Sequence, residues 1–265
     1  MNLDLTGRTA LVTGSTGGIG YAIAKALAQL CATVAVNGRT TQRCAEAVAR
    51  LKEETGSGAI LAAPGDVAAC ASAEAVVAGL PTVDILVNNA GIFEPKPFFD
   101  IPDEDWQRFF DTNVMSGVRL SRAYTPGMVE KGWGRVVFIA SESAINIPVE
   151  MVHYGMTKTA QLAVARGLAE TVSGSGVTVN SVLPGPTLSE GVADFMKQMA
   201  AGTEDPDLDA MGRQFVAEHR PTSLIGRLAT VDEVASMVAY ICSPAASATS
   251  GAALRVDGGV LRNIA

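Results

Sequence analysis

The chain has 265 residues, 48% of them hydrophobic and 18% charged, and carries a formal net charge of −7. That balance belongs to a compact folded chain and excludes the disordered class, and the lack of a basic footprint argues against nucleic acid as a partner. The length suits one α/β domain over residues 1–265. The N-terminal stretch MNLDLTGRTALVTG lacks the zones of a secretory signal, and charged residues interrupt every long apolar segment. The expectation is therefore a cytoplasmic protein with no membrane partner. Cys31, Cys44, Cys70 and Cys242 are scattered, with no CxxC pair and no neighbouring His, so they read as packing residues and no metal site is expected.

In chain order, Arg8 to Thr13 holds the apolar run Ala10-Leu11-Val12, suited to a buried parallel strand. A helical pattern from Gly20 to Leu30 and strand chemistry from Thr33 to Asn37 complete a βαβ unit. The alternation continues with a helix over Thr41 to Glu54, a strand at Ile60 to Ala62, a helix over Ala71 to Gly79 and a strand at Asp84 to Asn88. One long helix is predicted from Asp103 to about Glu130, then a strand from Gly134 to Ala140, a helix over Val152 to Val172 and a strand from Val177 to Val182. Thr187 to Arg220 breaks the rhythm with two helical stretches around TEDPDLD and reads as a substrate lid. A helix at Val231 to Cys242 and a short strand at Ala253 to Val256 close the pattern, which is that of a parallel sheet.

The segment Thr13-Gly14-Ser15-Thr16-Gly17-Gly18-Ile19-Gly20 lies between the first strand and the first helix. Glycines there permit a tight turn and let backbone N–H groups approach a pyrophosphate at a helix N-terminus. Its GxxxGxG spacing departs from the general GxGxxG fingerprint and resembles the short-chain dehydrogenase/reductase family. Further motifs carry the resemblance along nearly the whole chain: Asn88-Asn89-Ala90-Gly91, Asn113, Ser141, Tyr154 with Lys158, and Pro184-Gly185. Within the family the sequence looks most like bacterial 3-oxoacyl-thioester reductases. The resemblance implies an α/β fold with a Rossmann-type doubly wound parallel sheet flanked by helices.

Cofactor choice turns on the end of the second strand. An acid there would accept from a ribose 2′-OH and repel a 2′-phosphate, but this strand ends Asn37-Gly38-Arg39-Thr40. A guanidinium at Arg39 can grip a phosphate, with Asn37 and Thr40 supplementing it, so NADP is the expected cofactor. Arg39 facing solvent or stacked on adenine would leave NAD able to bind. The resemblance implies further contacts: Gly14, Ser15, Thr16, Gly18 and Ile19 at the pyrophosphate, Asp66 and Val67 at the adenine, and Asn89, Ala90 and Gly91 along the cofactor. Pro184, Gly185 and Thr187 would meet the nicotinamide end.

Tyr154 and Lys158 stand four residues apart on a predicted helix and so share a face. A nearby ammonium favours phenolate, and the expectation is that Lys158 lowers the Tyr154 pKa. The resemblance implies that Lys158 also binds the nicotinamide ribose, that Ser141 holds the substrate oxygen and that Asn113 anchors a proton-relay water. It implies pro-S hydride transfer between the nicotinamide and a carbonyl or secondary alcohol, with Tyr154 as acid/base. Ser141, Ser143, Tyr154 and Gly185 are the candidate substrate contacts.

Glu142 and Glu150 read as solvated loop acids, His153 as a packing or interface residue, and Phe195, Met196, Met199 and Met211 as either lid cover or simple core. Three other readings stay open: an NAD-preferring alcohol dehydrogenase, a regulatory or scaffold protein that keeps the fold without turnover, and a lyase or epimerase using the same tyrosine. The resemblance further implies a homotetramer or homodimer.

Overall fold

The computed structural model describes residues 1–199 and 207–264. Strands β1 (Thr9–Val12), β2 (Thr33–Gly38), β3 (Ile60–Pro64), β4 (Ile85–Asn88), β5 (Gly134–Ile139) and β6 (Val177–Pro184) join the last strand of the chain in a seven-stranded sheet. Before that last strand come β7 (Thr187–Leu188) and β8 (Ala229–Thr230), which pair with each other; β9 (Ala253–Val256) then closes the large sheet. Its spatial order is β3-β2-β1-β4-β5-β6-β9, and every pairing is parallel. Central strands are buried on both faces, which explains their unbroken apolar runs in place of alternation.

Helices α1 (Gly18–Gln29), α2 (Thr41–Thr55), α3 (Cys70–Gly79), α4 (Asp103–Phe110), α5 (Ser116–Glu130), α6 (Val152–Thr171), α7 (Glu190–Met199), α8 (Leu208–His219) and α9 (Val231–Cys242) supply the crossovers and covers. One face of the sheet is closed by α1, α2 and α9 through residues such as Ile23, Leu27, Leu51, Val238 and Ile241. The other is closed by α3, α5 and α6, with Val76, Leu120, Tyr124, Met128 and Ala165 packed on Leu86, Val136 and Val179. No helix among the described residues is long and apolar enough to cross a membrane.

The doubly wound sheet expected from the sequence is thus present, and most element boundaries agree to within a few residues. One difference bears on the site. The helix expected from Asp103 to Glu130 is interrupted by a π turn over Asp111–Met115, which divides α4 from α5. Such a turn accommodates an extra residue and commonly serves a functional position; here it carries Asn113. Just beyond it, a β-carbon on Gly117 would come within 2.8 Å of Phe138, so glycine lets α5 lie close on the sheet.

Cys44 and Cys242 are buried, as expected of packing residues, but Cys70 is exposed, and so is Cys31. Cys31 closes α1 with φ at +68°, the one non-glycine residue in the left-handed region among the described residues. Cys31→Gly is therefore expected to raise stability by about 1 kcal/mol in a urea titration, and a destabilised variant would show that the side chain repays its strain.

Candidate active site

The sheet reverses its winding between β1 and β4, and a doubly wound sheet opens a ligand crevice at the carboxyl ends of the strands there. The glycine-rich turn after β1 lines it. Gly14 and Gly18 have φ of +59° and +57°, and a β-carbon at Gly14 would meet the Ala90 backbone at 3.1 Å. Glycine is thus required for shape, and the cradle left by its missing side chains fits an extended phosphate group.

Several residues assigned to this cradle build it from within. Ser15 is buried, donating to Val12 O at 2.7 Å and accepting from Asn37 N at 3.0 Å. Asn37 accepts from Gly14 N at 3.2 Å and donates to the carbonyls of Ala63 and Gly65 at 2.8 and 3.1 Å. Asn89 donates to the carbonyls of Thr13 and Gly14 at 2.9 and 3.1 Å. Both amide donors of Asn37 are consumed, so it holds the loop and has none left for a 2′-phosphate.

Thr16 packs over Gly38, where a β-carbon would come within 2.5 Å of its methyl group. An acid at 38, absent from the sequence, would require Thr16 to shift. Arg39 beside it is exposed, and among the described residues no carboxylate pairs with it. The Thr40 hydroxyl accepts from Arg43 N and caps α2. Asp66 is exposed and accepts from Ala68 N at 3.0 Å, while Val67 is buried next to it.

The deeper end of the crevice collects the catalytic candidates. Ser141 stands just beyond β5, and Tyr154 and Lys158 lie one turn apart on α6. Tyr154 is half-buried, with the Phe93 ring edge-on at 6.4 Å between centroids. The Lys158 ammonium donates to Ile139 O at 2.9 Å and to Gln161 Oε1 at 3.3 Å, and lies 5.6 Å from the Tyr154 ring centroid. The Gln161 amide donates to the Asn113 main-chain carbonyl, which the π turn presents to it.

The Asn113 side chain is fully engaged. It accepts from Ile92 N at 2.8 Å and donates to Ile92 O and Thr157 Oγ1 at 3.0 and 2.9 Å. Gln161 escaped the sequence reading, although its spacing of three from Lys158 and seven from Tyr154 puts all three on one helical face.

Burial pushes the Tyr154 phenol up to about 12; the Ser141 hydroxyl lowers it, Glu142 raises it and Arg220 lowers it. Burial also pulls the Lys158 amine down to about 7. The expectation that Lys158 lowers the phenol pKa is thus overturned for the cofactor-free protein. Both charged forms are desolvated, and the amine is committed to Ile139 and Gln161.

The serine loop differs from expectation too. Glu142, expected in solvent, is 2% exposed. Its carboxylate accepts from Arg220 Nε at 2.7 Å and from Ser143 Oγ at 2.6 Å, so Ser143 faces Glu142. The cause is nonlocal, because Arg220 lies 78 residues away at the end of α8. His153 is packed between Phe109 and Trp106, and burial lowers its pKa. Thr187 donates to Gly185 O at 2.9 Å, and a β-carbon at Gly185 would come within 2.7 Å of Asp257 O. That contact explains the glycine after Pro184, the last residue of β6.

Met196, Val216 and Leu228 form a small core with Val192, Met211 and Phe215, so Met196 and Met211 pack α7 and α8 on each other. Residues 200–206, which include part of TEDPDLD and of the expected lid, lie outside the described residues, as do the side chains of Phe195 and Met199. Glu190, at the start of α7, sits 2.8 Å from the place of a β-carbon on Gly17 and pairs with Arg50 at 3.4 Å. The region after β6 thereby reaches the glycine-rich loop.

Known proteins resemble this chain over its whole length. The chain is 48% identical to the uncharacterized oxidoreductase YvaG of Bacillus subtilis, over 100% of both chains. It is 32% identical to the 3-oxoacyl-[acyl-carrier-protein] reductase FabG of Vibrio cholerae, over 97% of this chain and 99% of that one. The L-sorbose reductase of Gluconobacter frateurii, solved in complex with NADPH and L-sorbose, superposes with a TM-score of 0.92 at 32% identity, covering 100% of both chains. Residues 8–200 match the short chain dehydrogenase family, and with these full-length relatives the chain belongs to that family of oxidoreductases.

Proposed function

We propose that the chain is an NADP(H)-dependent oxidoreductase that interconverts a carbonyl and a secondary alcohol, with Tyr154 as the acid/base. The observation that carries this reading is the convergence of Ser141, Tyr154 and Lys158 in a crevice whose other end offers a glycine cradle and the unpaired Arg39.

When bound, NADPH would supply the hydride; the similar L-sorbose reductase is solved with NADPH and L-sorbose. The backbone at Gly14, Thr16, Gly18 and Ile19 would hold its pyrophosphate, Arg39 its 2′-phosphate, and Asp66 and Val67 its adenine. Ala90 and Gly91 leave room along its length, and Pro184, Gly185 and Thr187 border the nicotinamide end. Ser141 and Tyr154 then polarise the substrate oxygen, and Tyr154 donates the proton during reduction. The phenol is protonated at neutral pH, which suits that step. Lys158, with an amine that titrates near neutrality, would return a proton to the phenolate and be recharged from solvent, while Gln161 and the Asn113 carbonyl hold the amine in place. Asn113 is here a positioning residue, tying the loop after β4 to α6.

Tyr154→Phe should lower kcat/KM by about 10³-fold while NADPH binding, read by fluorescence, stays unchanged. Retained turnover would remove the acid/base assignment. Arg39→Ala should weaken NADPH binding by about 10–100-fold and leave NADH binding unaltered, since a charge-assisted hydrogen bond contributes about 1.5–3 kcal/mol. Equal losses for both cofactors would favour a general structural role.

Lys158 also makes a stability prediction. Its amine titrates near 7 in the folded chain against 10.5 ordinarily, so the unfolded chain binds more protons between those values and stability rises with pH across that window. Lys158→Met should be inactive yet more stable than the parent by about 1–3 kcal/mol at pH 7, with the gap closing toward pH 10. A less stable variant at pH 7 would mean that the lost hydrogen bonds outweigh the relief of burial.

A further inference from the structure

The ion pair between Glu142 and Arg220 has no part in the proton chemistry above, yet it is the most buried charge pair among the described residues, with side-chain exposures of 3% and 12%. It stands directly after Ser141, and its two charges both act on the Tyr154 phenol, one raising and the other lowering its pKa. Burying charged groups is costly unless they are paired and hydrogen-bonded, so a pair next to Ser141 and Tyr154 calls for a role.

An arginine at such a place commonly grips a carboxylate through two parallel N–H bonds. This one is already engaged. Nε donates to Glu142 at 2.7 Å, and Nη1 donates to His219 O at 2.8 Å and lies 3.9 Å from a Glu150 carboxylate oxygen. Glu142 is held in turn by the Ser143 hydroxyl at 2.6 Å. Two carboxylates therefore flank one guanidinium, and the cluster carries a net negative charge. A substrate carboxylate brought beside it would find Nε and Nη1 already taken, with Nη2 alone left for it, and would meet like charge in a poorly solvated place.

A neutral hydroxyl faces no such penalty, because it can donate to a carboxylate and accept from a guanidinium. The half-exposed Glu150 offers acceptors, and the exposed rings and side chains of Phe93, Ile147 and Val149 give the same region apolar surface. Hydroxyl groups on one side and C–H groups on the other describe a polyhydroxylated carbon chain.

Resting on the oxidoreductase reading above, we propose that Glu142 is a specificity-determining residue: by occupying Arg220 it selects neutral polyhydroxy ketones and their alcohols and rejects keto acids of the same length.

The test compares a polyhydroxy ketone with the keto acid that differs from it only in a terminal carboxylate. Calorimetry reads binding of each to the protein loaded with oxidised cofactor, a dead-end complex in which a ketone cannot react. The wild-type protein should bind the neutral ketone at least tenfold more tightly. In Glu142→Gln, which keeps an amide oxygen toward Arg220 but removes the charge, the ratio should move at least tenfold toward the acid. Equal or tighter binding of the acid by the wild-type protein overturns the proposal, as does failure of the wild-type protein to bind either ligand. So does an unchanged ratio in a variant whose circular dichroism and cofactor binding match the parent. Should Glu142→Gln not fold, the wild-type ratio alone decides. Failure of the oxidoreductase reading shows separately, as no NADPH oxidation by the wild-type protein with any carbonyl of a broad panel.

Discussion

The site depends on one buried amine. Lys158 lies within the protein, bound to the carbonyl of Ile139 and to Gln161, at the point where β5, α6 and the π turn between α4 and α5 meet. An ammonium there is expensive to desolvate, which brings its pKa to about 7. The surrounding polar contacts make that position tenable. Gln161 joins the amine to the Asn113 carbonyl, which lies in the wide helical turn, and the Asn113 side chain fastens the loop after β4 to Thr157 on α6. Stability is traded against chemistry at this point, since an apolar side chain would suit the location better and do nothing for a proton.

The other end of the crevice is built on a different constraint, close backbone approach. Glycines at 14 and 18 take left-handed conformations, Gly14 lies against Ala90, and Gly38 makes room for Thr16. Buried Ser15 and Asn37, with Asn89, use their hydrogen bonds on the loop itself. The result is a rigid cradle with an exposed guanidinium at its edge. The helices α7 and α8 pack on each other around a small core of their own, separate from the two main cores of the sheet.

Much of this was legible in the amino-acid sequence because it is local. Apolar runs such as Ala10-Leu11-Val12 and helical patterns such as Gly20 to Leu30 carry their own period, and the strand-to-helix glycine turn announces itself by spacing. Tyr154 and Lys158 share a helical face by simple arithmetic. What was missed is nonlocal or geometric. The π turn has the composition of an ordinary helix, so nothing in Asp111–Met115 betrays the extra residue. Glu142 resembles any loop acid until a chain reversal brings Arg220 to it. The direction of the Tyr154 shift required knowing how deeply both groups are buried, which periodicity does not report. Cys31 reads like the other cysteines in the sequence, and only its dihedral angle sets it apart.

The proposed reaction turns on one bond, the hydride transfer from a bound nicotinamide to a carbonyl carbon held by Ser141 and Tyr154. Single-turnover reaction with NADPH deuterated at the pro-S position tests it directly, by mass spectrometry of the product. The account predicts one deuterium at the carbinol carbon with the wild-type protein. Oxidation of the cofactor without deuterium in the product, or deuterium delivered as readily by Tyr154→Phe, would contradict it.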